Sequence, residues 1–145
     1  MLKSKIYLRF LKVKILIKKI GYITILVKDQ DAAAEFYVNK LGFIKGQDAS
    51  FEGMRWVTVA PKGQPDVELT LVKADSEDKA RALGKQAGDH VFLTLETDDC
   101  RRDYSEMRSK GIKFYGEPQE QRYGVEVVFE DLYGNLFDLI QRAMQ

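Results

Sequence analysis

Two stretches of the chain repeat one succession of apolar and polar positions. "YITILVKDQDAAAEFYVNKLGFIK" starts at Tyr22 and "HVFLTLETDDCRRDYSEMRSKGIKF" starts at His90. Each opens on an alternating run, which predicts a strand with one aliphatic face. Ile23, Ile25 and Val27 share that face in the first run, and Val91, Leu93 and Leu95 in the second. Acids follow, Asp29–Asp31 and Asp98–Asp99, suited to capping a helix N-terminus. Ala33, Phe36, Tyr37 and Leu41 then recur at helical spacing, as do Tyr104, Met107 and Ile112. Gly42 and Gly111 close both segments where a left-handed cap is wanted.

Downstream of each glycine the pattern predicts three short strands. They fall at Phe43–Lys45, Met54–Ala60 and Val67–Lys73, then at Ile112–Tyr115, Val125–Glu130 and Leu136–Gln141. "PKGQPD", "GEPQ" and "DLYGN" read as the turns between them. Each half is therefore β-α-β-β-β, an α+β chain with an internal repeat. Ala80, Leu83 and Ala87 give residues 75–88 the weak stripe of a short linking helix. The expected organisation is a module at 20–74, that linker, and a module at 89–142, all within one domain at 20–145, preceded by an extension at 1–19. Neither module, at about 50 residues, buries a core alone, so the two share one or pair with another chain.

The opposite strand faces hold the candidate chemistry. They carry Tyr22, Thr24 and Leu26; Trp56 and Thr58; Glu68, Thr70 and Val72; then His90, Phe92, Thr94 and Glu96; Glu126 and Val128; and Leu136, Asp138 and Ile140. An acid on a buried strand is costly unless it is paired, hydrogen-bonded or bound to metal. Glu68 and Asp138 are such acids. Tyr22 to Glu68 spans 46 positions and His90, the single histidine, to Asp138 spans 48, so the four are expected at equivalent places in the repeat. Two plainer readings stay open: the faces are solvated, as one face of an antiparallel sheet can be, or the four close a hydrogen-bonded network without a ligand. Leu26, Phe92, Trp56, Val72 and Ile140 on the same faces suit a pocket wall better than open solvent.

Bulk properties narrow the classes. The 145 residues are 45% hydrophobic and 31% charged, as in a soluble globular protein. No apolar run is long enough to cross a bilayer, and the lone Cys100 fits a reducing cytosol better than a disulfide framework. Residues 1–19 hold seven Lys/Arg and no acid, which leaves the remainder at net −6 and unsuited to nucleic acid. In the extension, lysines interrupt every apolar run, so it is no signal peptide. It reads as an appendage, with a strand or a basic surface arm as alternatives.

The stretch "YITILVKDQDAAAEFYVNKLGF", with its Asp, "FY" and "LGF", resembles the opening of the vicinal oxygen chelate superfamily, which includes glyoxalase I, bleomycin- and fosfomycin-resistance proteins and extradiol dioxygenases. "VVFEDLYGNLFDLIQ" resembles its closing strands, where a D-x-x-G-N turn precedes the last one. The likeness covers Ile20 to about Arg142. It implies paired modules forming a cupped mixed sheet, and a homodimer whose cups are completed across the interface. Metal-using members draw ligands from the first and last strands of each module, places that fall on Tyr22, Glu68, His90 and Asp138. Glu68 and His90 match the glyoxalase pattern, Asp138 stands where glutamate is usual, and Tyr22 where histidine or glutamine is usual. A phenol is a poor ligand, which leaves Glu68, His90 and Asp138 to hold Zn²⁺, Ni²⁺, Mn²⁺ or Fe²⁺.

Two functions follow from the resemblance. One is a metal-dependent lyase or isomerase that chelates vicinal oxygens of a small substrate, with Glu68 moving a proton and Tyr22 donating to a substrate oxygen. The other is a metal-free protein that sequesters a small molecule against Trp56, Phe92, Leu26 and Thr24. Both place the chain in the cytoplasm, as a homodimer with a small-molecule ligand and no nucleic-acid or membrane partner.

Overall fold

The structure, a computed structural model, describes residues 16–144. The elements are β1 (Tyr22–Val27), α1 (Gln30–Glu35, continuing as a wider turn through Phe36–Lys40), β2 (Ile44–Phe51), β3 (Met54–Ala60), β4 (Glu68–Lys73), α2 (Glu77–Ala82), β5 (Val91–Glu96), α3 (Cys100–Ser109), β6 (Phe114–Gln121), β7 (Gly124–Glu130) and β8 (Leu136–Arg142). They form two four-stranded sheets, ordered β1-β4-β3-β2 and β5-β8-β7-β6. In each, the first and last strands of a module run parallel and the remaining pairs antiparallel. The α+β, two-module architecture is the one the repeat predicts.

Local chemistry sets the elements as expected. Asp29 accepts from the Ala32 N–H at 2.9 Å and Asp99 from the Arg102 N–H at 3.0 Å, so both helices start on an aspartate cap. Two strands are longer than the apolar pattern suggests. β2 and β6 continue through "QDASF" and "GEPQEQ" because they are outer strands, paired on one side and exposed, where polar residues cost nothing. The supposed turn "GEPQ" lies inside β6, at a bulge between Tyr115 and Gln119.

The aliphatic faces of both sheets feed one core. Ile25, Val27, Leu69 and Leu71 of the first join Val127, Phe129, Phe137 and Leu139 of the second, with Ala33, Phe36 and Tyr37 of α1 among them. A buried polar joint fixes how the modules meet. The Tyr37 hydroxyl donates to Asp131 Oδ2 at 2.7 Å, and Asn135 Nδ2 donates to the same oxygen at 3.0 Å. Oδ1 accepts the backbone N–H groups of Tyr133 (3.0 Å) and Asn135 (2.9 Å). The "FY" of the first module and the D-x-x-G-N turn of the second thus hold one another. With both aliphatic faces turned into this core, the two mixed faces look outward, away from it.

Leu16 to Gly21 run without regular structure, with Leu16 and Ile17 exposed. The rest of the extension, including Val13 and Ile15 of its alternating run, lies outside the described residues. Among the described residues no helix is long and apolar enough to cross a membrane.

Candidate functional site

The first sheet assembles a compact polar and aromatic cluster on its open face. Tyr22 stands directly opposite Glu68, and Thr24 opposite Thr70, which is also level with Thr58. Residues level on adjacent strands project to the same side of a sheet, so these side chains share one surface. Trp56 meets Tyr22 edge to face, with ring centroids 5.2 Å apart.

β2 supplies what binds the cluster together. Its ladder with β3 slips between Lys45 and Asp48, a bulge that turns Gly46 and Gln47 over the open face. The Gln47 N–H donates to Thr58 Oγ at 2.8 Å, and the Thr58 hydroxyl donates to Glu68 Oε1 at 2.6 Å. Gln47 Nε2 reaches the Tyr22 oxygen at 2.9 Å and Glu68 Oε2 at 3.4 Å. A Cβ at residue 46 would collide with Glu68 Oε1 and Thr58 Oγ, so this packing requires glycine there. Thr70, 2% exposed, has a hydroxyl with no hydrogen-bond partner.

Sequence reasoning found Tyr22, Trp56 and Glu68 but not Gly46 or Gln47. One signal was available: Gly46 and Gly116 stand at the same spacing after the capping residues Asp29 and Asp99, and both sit at strand bulges.

The second sheet carries acids on its open face. Asp138 is level with Thr94 and Val128, and Ile140 with Glu96 and Glu126. Asp138 Oδ1 is buried without a partner. Burial, and then the neighbouring Glu126 carboxylate, push the Asp138 carboxyl up to about 6. Tyr123 donates to Glu126, and Arg142 engages Glu96.

Three expected placements change. His90 is exposed in the turn before β5, its N–H on the Ala87 carbonyl at 3.2 Å. Val91 is level with Leu136, so His90 lies three rungs before Asp138, about 10 Å at the usual strand rise. Asp138 takes the rung that Thr70 holds in the first module, and Leu136 takes that of Glu68. Phe92 sits in a β5 bulge and packs on Phe137, with centroids 6.2 Å apart, at the edge of the core rather than on a pocket wall. Thr24 and Leu26 keep the expected face, level with Thr70 and Val72, and along the free edge of β1 the Gln86 side chain bonds the Leu26 N–H (2.8 Å) and the Thr24 carbonyl (3.0 Å).

Glu68, His90 and Asp138 therefore do not meet within one chain. A second copy does not unite His90 with Asp138, since both belong to the same module. Metal ligands must converge to about 2 Å from one ion, and Glu68 is already engaged by Thr58 and Gln47. Among the described residues no three His, Cys, Asp or Glu side chains are grouped to hold a metal. The donor set as arranged does not fit a divalent ion.

A broad cleft of about 1260 Å³ opens elsewhere, between the end of α1, the β3–β4 loop and α3. It touches neither Glu68 nor Trp56. Its rim is charged, with Arg102 on Asp98 (2.7 Å) and Asp103 (3.0 Å) beside Lys62, Glu106 and Lys110, and it reads as a solvated groove between modules.

Residues 19–139 match the sequence pattern of the Glyoxalase/Bleomycin resistance protein/Dioxygenase superfamily. The chain belongs to this superfamily. It is 48% identical over 126 residues to an uncharacterised protein of Shewanella frigidimarina (strain NCIMB 400), covering 86% of this chain and 93% of that one. Among solved structures it is similar to UcmS2, with 35% identity, a TM-score of 0.78, and 87% and 99% of the two chains covered. It is also similar to TnmS3, an antibiotic binding protein from Streptomyces sp. CB03234, with 29% identity, a TM-score of 0.72, and 90% and 100% covered.

Proposed function

We propose that this superfamily member is a metal-free small-molecule binding protein of the bleomycin-resistance kind. Its ligand, an aromatic or apolar compound, lies on the open face of the first sheet, against Trp56 and Tyr22. The observation that carries this reading is the neutral hydrogen-bonded setting of Glu68. Thr58 and Gln47 orient the carboxylate, and among the described residues no His, Cys, Asp or Glu group forms a metal site with it. Aromatic surface beside a few fixed polar groups is the usual make-up of a ligand site. The likeness to TnmS3 over nearly the whole chain supports binding, whereas nothing in the arrangement of His90 and Asp138 supports a metal-dependent lyase or isomerase.

The same reading takes the protein to be a homodimer. One chain spends both aliphatic faces on its own core, so its open faces cannot close on each other. A ligand on the first sheet is enclosed when the open face of a second copy, with Asp138 and Glu126, covers it.

Metal analysis of protein purified without chelators, together with titration of Trp56 emission by a panel of polycyclic aromatic antibiotics, tests the reading. Saturable quenching by a dimeric, metal-poor protein is expected. A stoichiometric divalent metal that disappears in His90→Ala would overturn it in favour of the enzyme.

A further inference from the structure

We infer that the ligand of this face is an organic cation: a protonated amine on an aromatic or apolar body, its ammonium against Glu68 and its body against Trp56 and Tyr22. This rests on the binding reading above and adds the chemical class of the ligand.

Glu68 is a half-buried carboxylate that has no counter-charge among the described residues. Its partners, Thr58 and Gln47, are neutral, and no Lys or Arg among the described residues forms an ion pair with it. Taking a carboxylate out of water without a cation is unfavourable, and closing a ligand over this face removes more water from it. A neutral or anionic ligand would leave that cost unmet. An ammonium removes it through a charge-assisted hydrogen bond.

Three further features point the same way. The Tyr22–Trp56 pair puts aromatic surface beside the carboxylate, and aromatic faces attract cations. Thr70, two positions along β4 from Glu68, adds a second polar group on the same side of the sheet, its hydroxyl buried and unpartnered. The second module's open face adds Asp138 and Glu126, while its base, Arg142, is held by Glu96. On the homodimer reading, the wall that a second copy brings over the ligand carries these two acids.

Trp56 is the one tryptophan, so its indole N–H gives a single reporter peak in a ¹H–¹⁵N spectrum. The test titrates the intact protein with 2-naphthylmethylamine and with its neutral counterpart 2-naphthylmethanol. The amine is expected to bind about tenfold or more tightly, an advantage of one charge-assisted contact, and added salt should weaken the amine alone. Glu68→Gln, which keeps the size and the Thr58 bond, should bring the two ligands level. Equal binding of amine and alcohol by the unaltered protein overturns the cation inference and leaves the binding reading standing. An amine preference that survives Glu68→Gln overturns the seat assigned to it. If neither naphthyl compound moves the peak but an antibiotic of the panel does, the cation inference falls alone. If nothing moves it, the binding reading falls as well.

Discussion

Replacing Asp131 by alanine tests how the two modules are held together. Asp131 is 4% exposed and accepts four hydrogen bonds, from the Tyr37 hydroxyl, the Asn135 side chain and two backbone N–H groups. Truncation leaves the Tyr37 hydroxyl, on a side chain 1% exposed, and the Asn135 amide without that acceptor. A buried polar group stripped of its partner costs about 1–3 kcal/mol. Two such groups put the expected loss at about 2–6 kcal/mol, a large share of the roughly 5–15 kcal/mol that stabilises a typical domain. Equilibrium urea unfolding measures it, as a lower midpoint with an unchanged slope. The melting temperature should fall by about 10 °C, taking about 2–4 °C per kcal/mol for a chain of this size. Asp131→Asn, which keeps an acceptor for Tyr37, should lose less. A loss below about 1 kcal/mol for the alanine variant would refute the reasoning, because a cost that small is what an exposed, water-satisfied side chain gives.

Other consequences are as direct. Burial, and then Asp131, hold the Tyr37 hydroxyl well above the ordinary tyrosine range. The unfolded chain ionises near about 10, so the stability present below that pH is lost as pH rises beyond it; Tyr37→Phe should flatten this alkaline limb in pH-dependent unfolding. Asp138, pushed up to about 6 by burial and then by Glu126, titrates in the other window. Its contribution is present below the unfolded value of about 4 and is lost as pH rises through about 6, so Asp138→Asn should gain on the parent between acidic and neutral pH. No such gain would place that carboxyl in solvent. Gly46→Ala should displace the Glu68 carboxylate, lowering stability by about 1–3 kcal/mol and abolishing ligand-induced shifts of Trp56. Unchanged binding would remove the bulge from the site.

The fold was legible because each level of the sequence repeats it. Alternation, aspartate caps and closing glycines occur twice in the same order, and each has its own physical cause. The polar outer strands were harder to see, since a strand exposed on both sides need not alternate; "GEPQ" looked like a turn and proved to be a bulged stretch of β6.

The site was legible only in part. Face alternation correctly brought Tyr22, Trp56 and Glu68 to one surface. It failed for His90, and with it for the pairing of His90 with Asp138, because a one-residue slip turns the side chains before it to the other face. The β5 bulge at Phe92 introduces such a displacement, and no residue type there announces it. The amides that organise the surface, Gln47 beside Glu68 and Gln86 along the edge of β1, lie in polar stretches with no periodicity to mark them. The Tyr37–Asp131 bond joins residues 94 apart, each visible as part of a motif, but their contact appears only when the modules pack.

The claim that Glu68 serves an organic ligand rather than a metal is tested most directly by calorimetric titration before and after exhaustive treatment with a chelator, using a compound that shifts Trp56. Affinity and stoichiometry should be unchanged by chelation and insensitive to added Zn²⁺, Ni²⁺, Mn²⁺ or Fe²⁺. Binding that vanishes with the chelator and returns with one equivalent of a single divalent ion would contradict the account.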